Sequence, residues 1–269
     1  VAGEGFGVDN RAVVRNQRVY GWTVFDQLNF NYRKNGFDLS GMLYGGNLRG
    51  GNDQFFVIDT YLDKLWRQNL SLPNQIFKTK QIEALLSLNY QFNENHSMGA
   101  RFNWEKTPES YWLVNQFAQT FSGNQLYEDL HSNVVGNEPE GYRKANFYYS
   151  GKVKNWSIDF NADGLWSDAE NTQVAEEEIL GGINEAVNRS VTTFDTKKNE
   201  LYAAKLVVSH QLAKGNLSFG GEYSHNKRNT TYFNEVGVIA NDEAMIKEGA
   251  TSAFIEYAKA FHKVQVQLG

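Results

Sequence analysis

The five histidines, His96, His131, His210, His225 and His262, are the natural first candidates for chemistry, because a neutral imidazole ligates metals and moves protons near pH 7. No two stand at i, i+2 or i+4, and no HExxH occurs, so nothing in the spacing assembles a metal site. Turn and strand-surface roles are expected for all five. Gly3-Glu4-Gly5-Phe6-Gly7 is glycine-rich, yet it misses the GxGxxG spacing and no strand-then-helix context follows. A GxSxG elbow is absent. Glu176-Glu177-Glu178 could gather divalent cations, although a charge run in a long loop is ordinarily solvated. Asp159 and Asp163 share a strand face with Asn161, which allows general acid–base work but is explained more simply by a hydrated wall. No acid, base or nucleophile constellation emerges. The chain reads as a non-enzyme with no catalytic residue, no metal and no cofactor.

One segment could make ligand contacts. From Tyr111 to Tyr127, the aromatics Tyr111, Trp112, Phe117, Phe121 and Tyr127 lie among Asn115, Gln116, Gln119 and Asn124. Rings interleaved with amides suit stacking on sugars or other flat ligands. Aromatics in a long loop also pack the loop on itself, and both readings stay open. Trp112, Phe117, Phe121 and Tyr127 are carried forward as candidate ligand-binding residues of an exposed loop.

The elements that must position these residues have a period of two. Trp22, Val24, Leu28, Phe30 and Tyr32 alternate with Thr23, Gln27, Asn29, Asn31 and Arg33, which puts rings and aliphatics on one strand face and amides on the other. Lys34-Asn35-Gly36 then signals a tight turn, since Asn-Gly accepts positive φ, and Phe37, Leu39 and Leu43 resume the apolar face. The unit recurs across Asn93–His96, where Ile82 to Phe92 precedes and Met98 to Trp104 follows. It recurs again from Ala145 through Trp156 to Ala162, and from Tyr202 across Ala213–Asn216 to Tyr223. A last hairpin runs from Ser252 through Val264 to Leu268. Between hairpins lie long polar stretches, roughly 47–80, 106–142, 168–199 and 227–250, and all three prolines fall there. Phe55 to Trp66 is expected to pair with itself as a raised hairpin. The architecture is an all-β, antiparallel up-and-down sheet of about ten long strands, with tight turns at one end and long loops at the other.

Composition narrows what this sheet can be. Of 269 residues, 14% are aromatic, too many for a disordered tail. The mean hydropathy is -0.54 and no apolar run exceeds the length of Phe55–Ile58, which excludes a transmembrane helix but not a transmembrane barrel, whose strands alternate. With 26 basic and 31 acidic residues, a net charge of -5 and no basic stripe, nucleic acid is not a partner. The chain has no cysteine, which removes disulfide scaffolds and thiolate metal sites. Alternation alone leaves two solvents for the apolar face, a protein core or lipid. Three features favour lipid: neutral amides and Asp on the polar faces, aromatics at strand ends (Trp22, Tyr32, Tyr90, Trp104, Trp156, Trp166), and strands of spanning length. On this reading Leu28, Phe30, Leu86, Leu88, Phe102, Ile158, Phe160, Leu206 and Phe219 meet lipid. Asn29, Asn89, Asn103, Asp159 and Ser209 line the lumen.

The hairpins Tyr20–Gly46 (YGWTVFDQLNFNYRKNGFDLSGMLYGG), Leu86–Trp104 (LSLNYQFNENHSMGARFNW), Ser150–Ser167, Leu206–Arg228 and Ser252–Gly269 resemble the barrel of TonB-dependent receptors, in the outer-membrane β-barrel family abundant in Bacteroidetes-type bacteria. The resemblance rests on hairpin texture and fades in the long loops. It implies uptake of a small-molecule, glycan or peptide ligand across the bacterial outer membrane. It also implies outer-membrane lipid as surroundings, and coupling to the TonB energy complex through a plug domain that this sequence does not show. Residues 1–269 are then a partial, open barrel domain, and an outer-membrane binding or adhesion barrel without active transport is the alternative. An open barrel carries two further expectations. Trp22–Arg33 pairs only with the strand that follows it, and Val264–Leu268 only with the strand before it.

Overall fold

The computed structural model describes residues 3–183, 187–237, 239–261 and 264–269; His262 therefore lies outside the described residues. The chain is one antiparallel sheet of twelve strands. In chain order these are β1 (Gly5–Gln17), β2 (Gly21–Lys34), β3 (Phe37–Tyr61), β4 (Leu65–Asn93), β5 (His96–Ser122), β6 (Gln125–Asn137), β7 (Glu140–Val153), β8 (Trp156–Gly182), β9 (Asn188–Leu212), β10 (Gly215–Asn234), β11 (Asp242–Phe261) and β12 (Val264–Leu268). Spatial order follows chain order, save that β6 and β7 share one position between β5 and β8. β6 pairs the outer halves of β5 and β8, and β7 pairs their inner halves. Pro139 stands in the interruption between them. Among the described residues β1 pairs only with β2 and β12 only with β11, so the barrel-like sheet they form is open.

The tight turns are those the sequence signals. Asn35 and Gly36 both take positive φ, 50° and 77°, the type I′ geometry that matches strand twist. Ala213 and Lys214, at 51° and 63°, do the same without help from glycine or asparagine.

Two expectations change. A strand precedes Trp22: Gly5–Gln17 pairs along its whole length with Gly21–Arg33, so the Trp22 strand has a neighbour on each side. Phe6, Val8, Ala12 and Val14 alternate within it, a period obscured by the glycines before it and by Asn10. The long polar stretches, for their part, are mostly continued strand. β3, β4, β5, β8 and β9 run to 25, 29, 27, 27 and 25 residues, and the expected raised hairpin is the Phe55–Trp66 tip of β3–β4. Pro73 and Pro108 therefore lie inside β4 and β5, but each sits at a break in register, after Ser71 and between Lys106 and Glu109, where a missing N–H costs no rung. At the other edge, Val264–Leu268 pairs only with the strand before it, as expected.

Register settles which side chains share a face. Phe30, Gly41, Leu86, Phe102, Ala145, Gly164 and Tyr202 form one row across adjacent strands. The rows below it, reached two residues at a time, contain Leu88, Phe160 with Leu206, and Ile158 with Phe219. Asn29, Asn89, Asn103, Asp159 and Ser209 all fall on the opposite face. No second layer covers the apolar face among the described residues: every substantial contact between strands is between ladder neighbours. Leu86, Phe102, Leu206 and Phe219 stand exposed on it. Among the described residues the buried apolar side chains, Ala118, Val134, Ala175 and Ile179, are small or isolated and belong to the outer part of the sheet.

Candidate functional site: the polar wall and the raised extension

The polar face is a ladder of side-chain hydrogen bonds between residues that the register sets opposite one another. Asn146 Nδ2 donates to Asp163 Oδ1 at 2.7 Å and to Asn161 Oδ1 at 3.0 Å. Ser150 Oγ donates to Asp159 Oδ1 at 2.6 Å, and Tyr148 Oη to Asn89 Oδ1 at 2.9 Å. Asn29 Nδ2 donates to Asp9 Oδ2 at 2.8 Å, and the Ser209 and Ser218 hydroxyls lie 2.9 Å apart. Asp159 and Asp163 are thus acceptors within a polar ladder, each held by a neighbour, rather than a facing acid–base pair. Higher on this face Tyr44, Glu83, Glu105 and Tyr142 follow one another on β3, β4, β5 and β7. No spacing in the sequence announces that row, because only the register aligns it.

The apolar face ends in aromatics and then in charge. Along β8 it reads Trp156, Ile158, Phe160, Ala162, Gly164 and Trp166. His210 stacks on Trp156 with ring centroids 4.2 Å apart, and Trp166 Nε1 donates to Tyr202 Oη at 2.9 Å. Above Trp166 the same face carries Lys106 and Asp168, 3.2 Å apart. The ten rises from Trp156 to Trp166, at about 3.4 Å each and tilted by about 40°, give a band about 26 Å tall.

Beyond the band the strands continue as an extension bearing its own charges. Glu109 sits between Lys78 and Lys80, with Lys80 Nζ 2.6 Å away, and hydrogen bonds from these two ammonium groups hold its carboxyl below the usual glutamate range. The Arg67 guanidinium donates to both Asp59 oxygens at 2.8 Å and lowers that carboxyl in the same way. Glu140 is pushed up, first by burial and then by the charges of Glu138 and Glu105. The run Glu176–Glu178 splits across the sheet: Glu177 pairs with Arg189, while Glu176 Oε1 accepts from Ser190 Oγ at 2.7 Å on the other face. Glu176 and Glu178, with His131, Asn133 and Ser190, line an open dent of about 380 Å³. Among the described residues no group of three or more metal-ligating side chains comes together.

The four candidate aromatics lie on this extension but do not converge. Trp112 is on the polar face, its ring over Gly136, where an added Cβ would come within 2.2 Å of the indole. Phe117 is on the opposite face, stacked on His131 at 4.4 Å and 4°. Tyr127 packs edge-on against Trp66 at 4.9 Å near the tip, where Phe121 pairs with Arg67 and Leu126. Of the other histidines, His96 Nδ1 lies 2.8 Å from Tyr149 Oη, and His225 belongs to the Tyr202 row.

No protein-family model and no curated protein matches the chain. Among solved structures it is similar to BauA, the ferric preacinetobactin receptor from Acinetobacter baumannii (13% identity, TM-score 0.44, covering 97% of this chain and 44% of that one). It is similar to the ferric citrate transporter FecA in its unliganded form (7%, 0.43, covering 96% and 42%). It is also similar to the siderophore receptor PiuA from Acinetobacter baumannii (8%, 0.40, covering 96% and 47%). The chain spans less than half the length of each.

Proposed function

We propose that the chain is part of the wall of an outer-membrane barrel of the TonB-dependent receptor type, taking up a nutrient ligand in a bacterium, with its apolar face on lipid and its polar face on the lumen. The observation that carries the membrane reading is the uncovered apolar band. A soluble sheet buries such a face under a second layer, whereas here aromatic rows and then charges bound it at the height of a bilayer core, as in outer-membrane barrels. The uptake reading adds the hairpin texture of Tyr20–Gly46 and its repeats. On it, the coupling partner is the TonB complex, reached through a plug outside these residues. The ligand, a small molecule, glycan or peptide, meets the extension. Trp112 offers a ring on the inner face, Phe117 on the outer face, and Phe121 and Tyr127 at the tip.

Spin labels at Leu88 and Phe160 should collide with oxygen dissolved in lipid, and labels at Asn89 and Asp159 with a water-soluble nickel chelate. The reverse pattern overturns the orientation. Uptake is tested by the reading frame upstream of Val1. A plug domain is expected there, and a secretion signal directly before Val1 would leave a binding or adhesion barrel instead.

A further inference from the structure

Above the membrane band, β3 has a partner on one side only. The β1–β2 hairpin turns at Arg18–Tyr20, and the last rung from β2 to β3 joins Val24 to Asn47. Thr23 Oγ1 donates to the Arg49 carbonyl at 3.0 Å and accepts from the Arg49 amide at 2.9 Å, while the Tyr20 ring lies over Gly51. From Asn52 to Tyr61 only β4 pairs with β3 among the described residues. In an antiparallel pair alternate residues point both N–H and C=O away from the partner, so about five residues of this stretch offer an unpaired donor and acceptor.

Of the devices that usually protect such an edge, a break in register between Asn52 and Gln54 is present, but it precedes the apolar run. Phe55 is 66% exposed, Phe56 44%, Val57 52%, Ile58 46% and Tyr61 78%, and consecutive residues point to opposite faces. The two flanking carboxylates are engaged, Asp53 by the Asn74 amide and Asp59 by Arg67. No lysine or proline interrupts Gln54–Ile58, although edge strands are normally blunted by one or the other.

We propose that Asn52–Tyr61 is a docking edge for a strand of a second protein, which extends the raised β3–β4 hairpin by β-augmentation. The open row of backbone groups identifies the occupant as a strand, and the apolar side chains on both faces specify more than a lone peptide. A single added strand would leave Phe55 and Val57 on one face, and Phe56 and Ile58 on the other, in water. A protein edge strand with packing on either side covers them. A second copy of this chain, paired antiparallel, does not fit. Antiparallel pairing of two β3 edges reverses the strand direction, which would turn one barrel over relative to the other, so the two could not span one membrane. That exclusion rests on the membrane reading above; the unpaired edge does not.

The test is amide hydrogen exchange over Asn52–Tyr61 of the full-length protein in native outer membranes and after purification in detergent, with benzoylphenylalanine at Phe55 as a crosslinker in the same membranes. The expected result is protection in membranes that falls at least tenfold for alternate amides on purification. One adduct, to a different protein, should accompany it. Val57→Lys, whose folding is checked by heat-modifiable migration, should abolish both. Equal fast exchange in the two preparations overturns the proposal. So does protection that survives in the purified monomer, or an adduct within the chain or to a second copy. Absence of the protein from the membrane fraction would sink the membrane reading alone, and exchange in unfractionated lysate would still decide the edge.

Discussion

On the proposed reading, single positions on the sheet separate lipid from lumen. Leu88 lies near the middle of the apolar band and Ser40 near the same height on the polar face. In lipid vesicles Leu88→Arg should cost about 2–4 kcal/mol, because a guanidinium at that depth loses its water, while Ser40→Arg should cost well under half as much. Urea unfolding of the reconstituted protein measures both, and equal costs would remove the distinction between the faces. Gly41 tests packing on the band itself. A Cβ there would lie 2.3 Å from Phe30 Cζ, because the phenyl ring of the cross-strand neighbour lies over the bare backbone. Gly41→Val should therefore cost about 1–3 kcal/mol from overpacking. Much of that should return in the double variant with Phe30→Ala, where the ring is gone. A cost that persists unchanged in the double variant would show that the backbone, not the ring, needs the glycine.

At the scale of elements, the extension depends on its charges. The native carboxyl of Glu109 titrates below its unfolded counterpart, which lies near ~4.3, because Lys78 and Lys80 donate to it. Between those two values the unfolded chain binds a proton and the native one does not, so this contribution is fully present above ~4.3 and is lost as pH falls through the native value. Amide exchange in Phe77–Lys80 should quicken over that interval relative to a Glu109→Gln variant, and identical profiles would deny the ion pair any role. The hairpins themselves were legible in the sequence, since one apolar and one polar face enforce alternation, and Asn35-Gly36 marks its own turn. The extension was not. Beyond Trp166 both faces carry polar residues, so Asp168 to Glu178 need not alternate and reads as loop. The same cause hid the split of Glu176–Glu178 across the sheet and the separation of Trp112 from Phe117. The row Tyr44, Glu83, Glu105, Tyr142 depends on register between distant segments, which no local pattern encodes.

For the whole molecule, the open edges dominate. An exposed strand edge in hydrocarbon leaves backbone groups unsatisfied at several kcal/mol each, and in water it pairs with other chains. The 269-residue chain, refolded alone in detergent, should therefore form oligomers by light scattering and show no heat-modifiable monomer band. A monodisperse, heat-modifiable monomer would mean that the edges find each other. The shared position of β6 and β7 bears on that directly, for it leaves an odd number of strand positions between β1 and β12. In an up-and-down sheet an odd count sends the first and last strands the same way. Joined to one another, they would make a parallel seam in an otherwise antiparallel wall. Two copies in one membrane, sealed edge to edge by rotation about the membrane normal, would make two such seams. A fully antiparallel cylinder can incorporate this sheet only if an odd number of further strands is inserted between its edges, with one more running downward than upward.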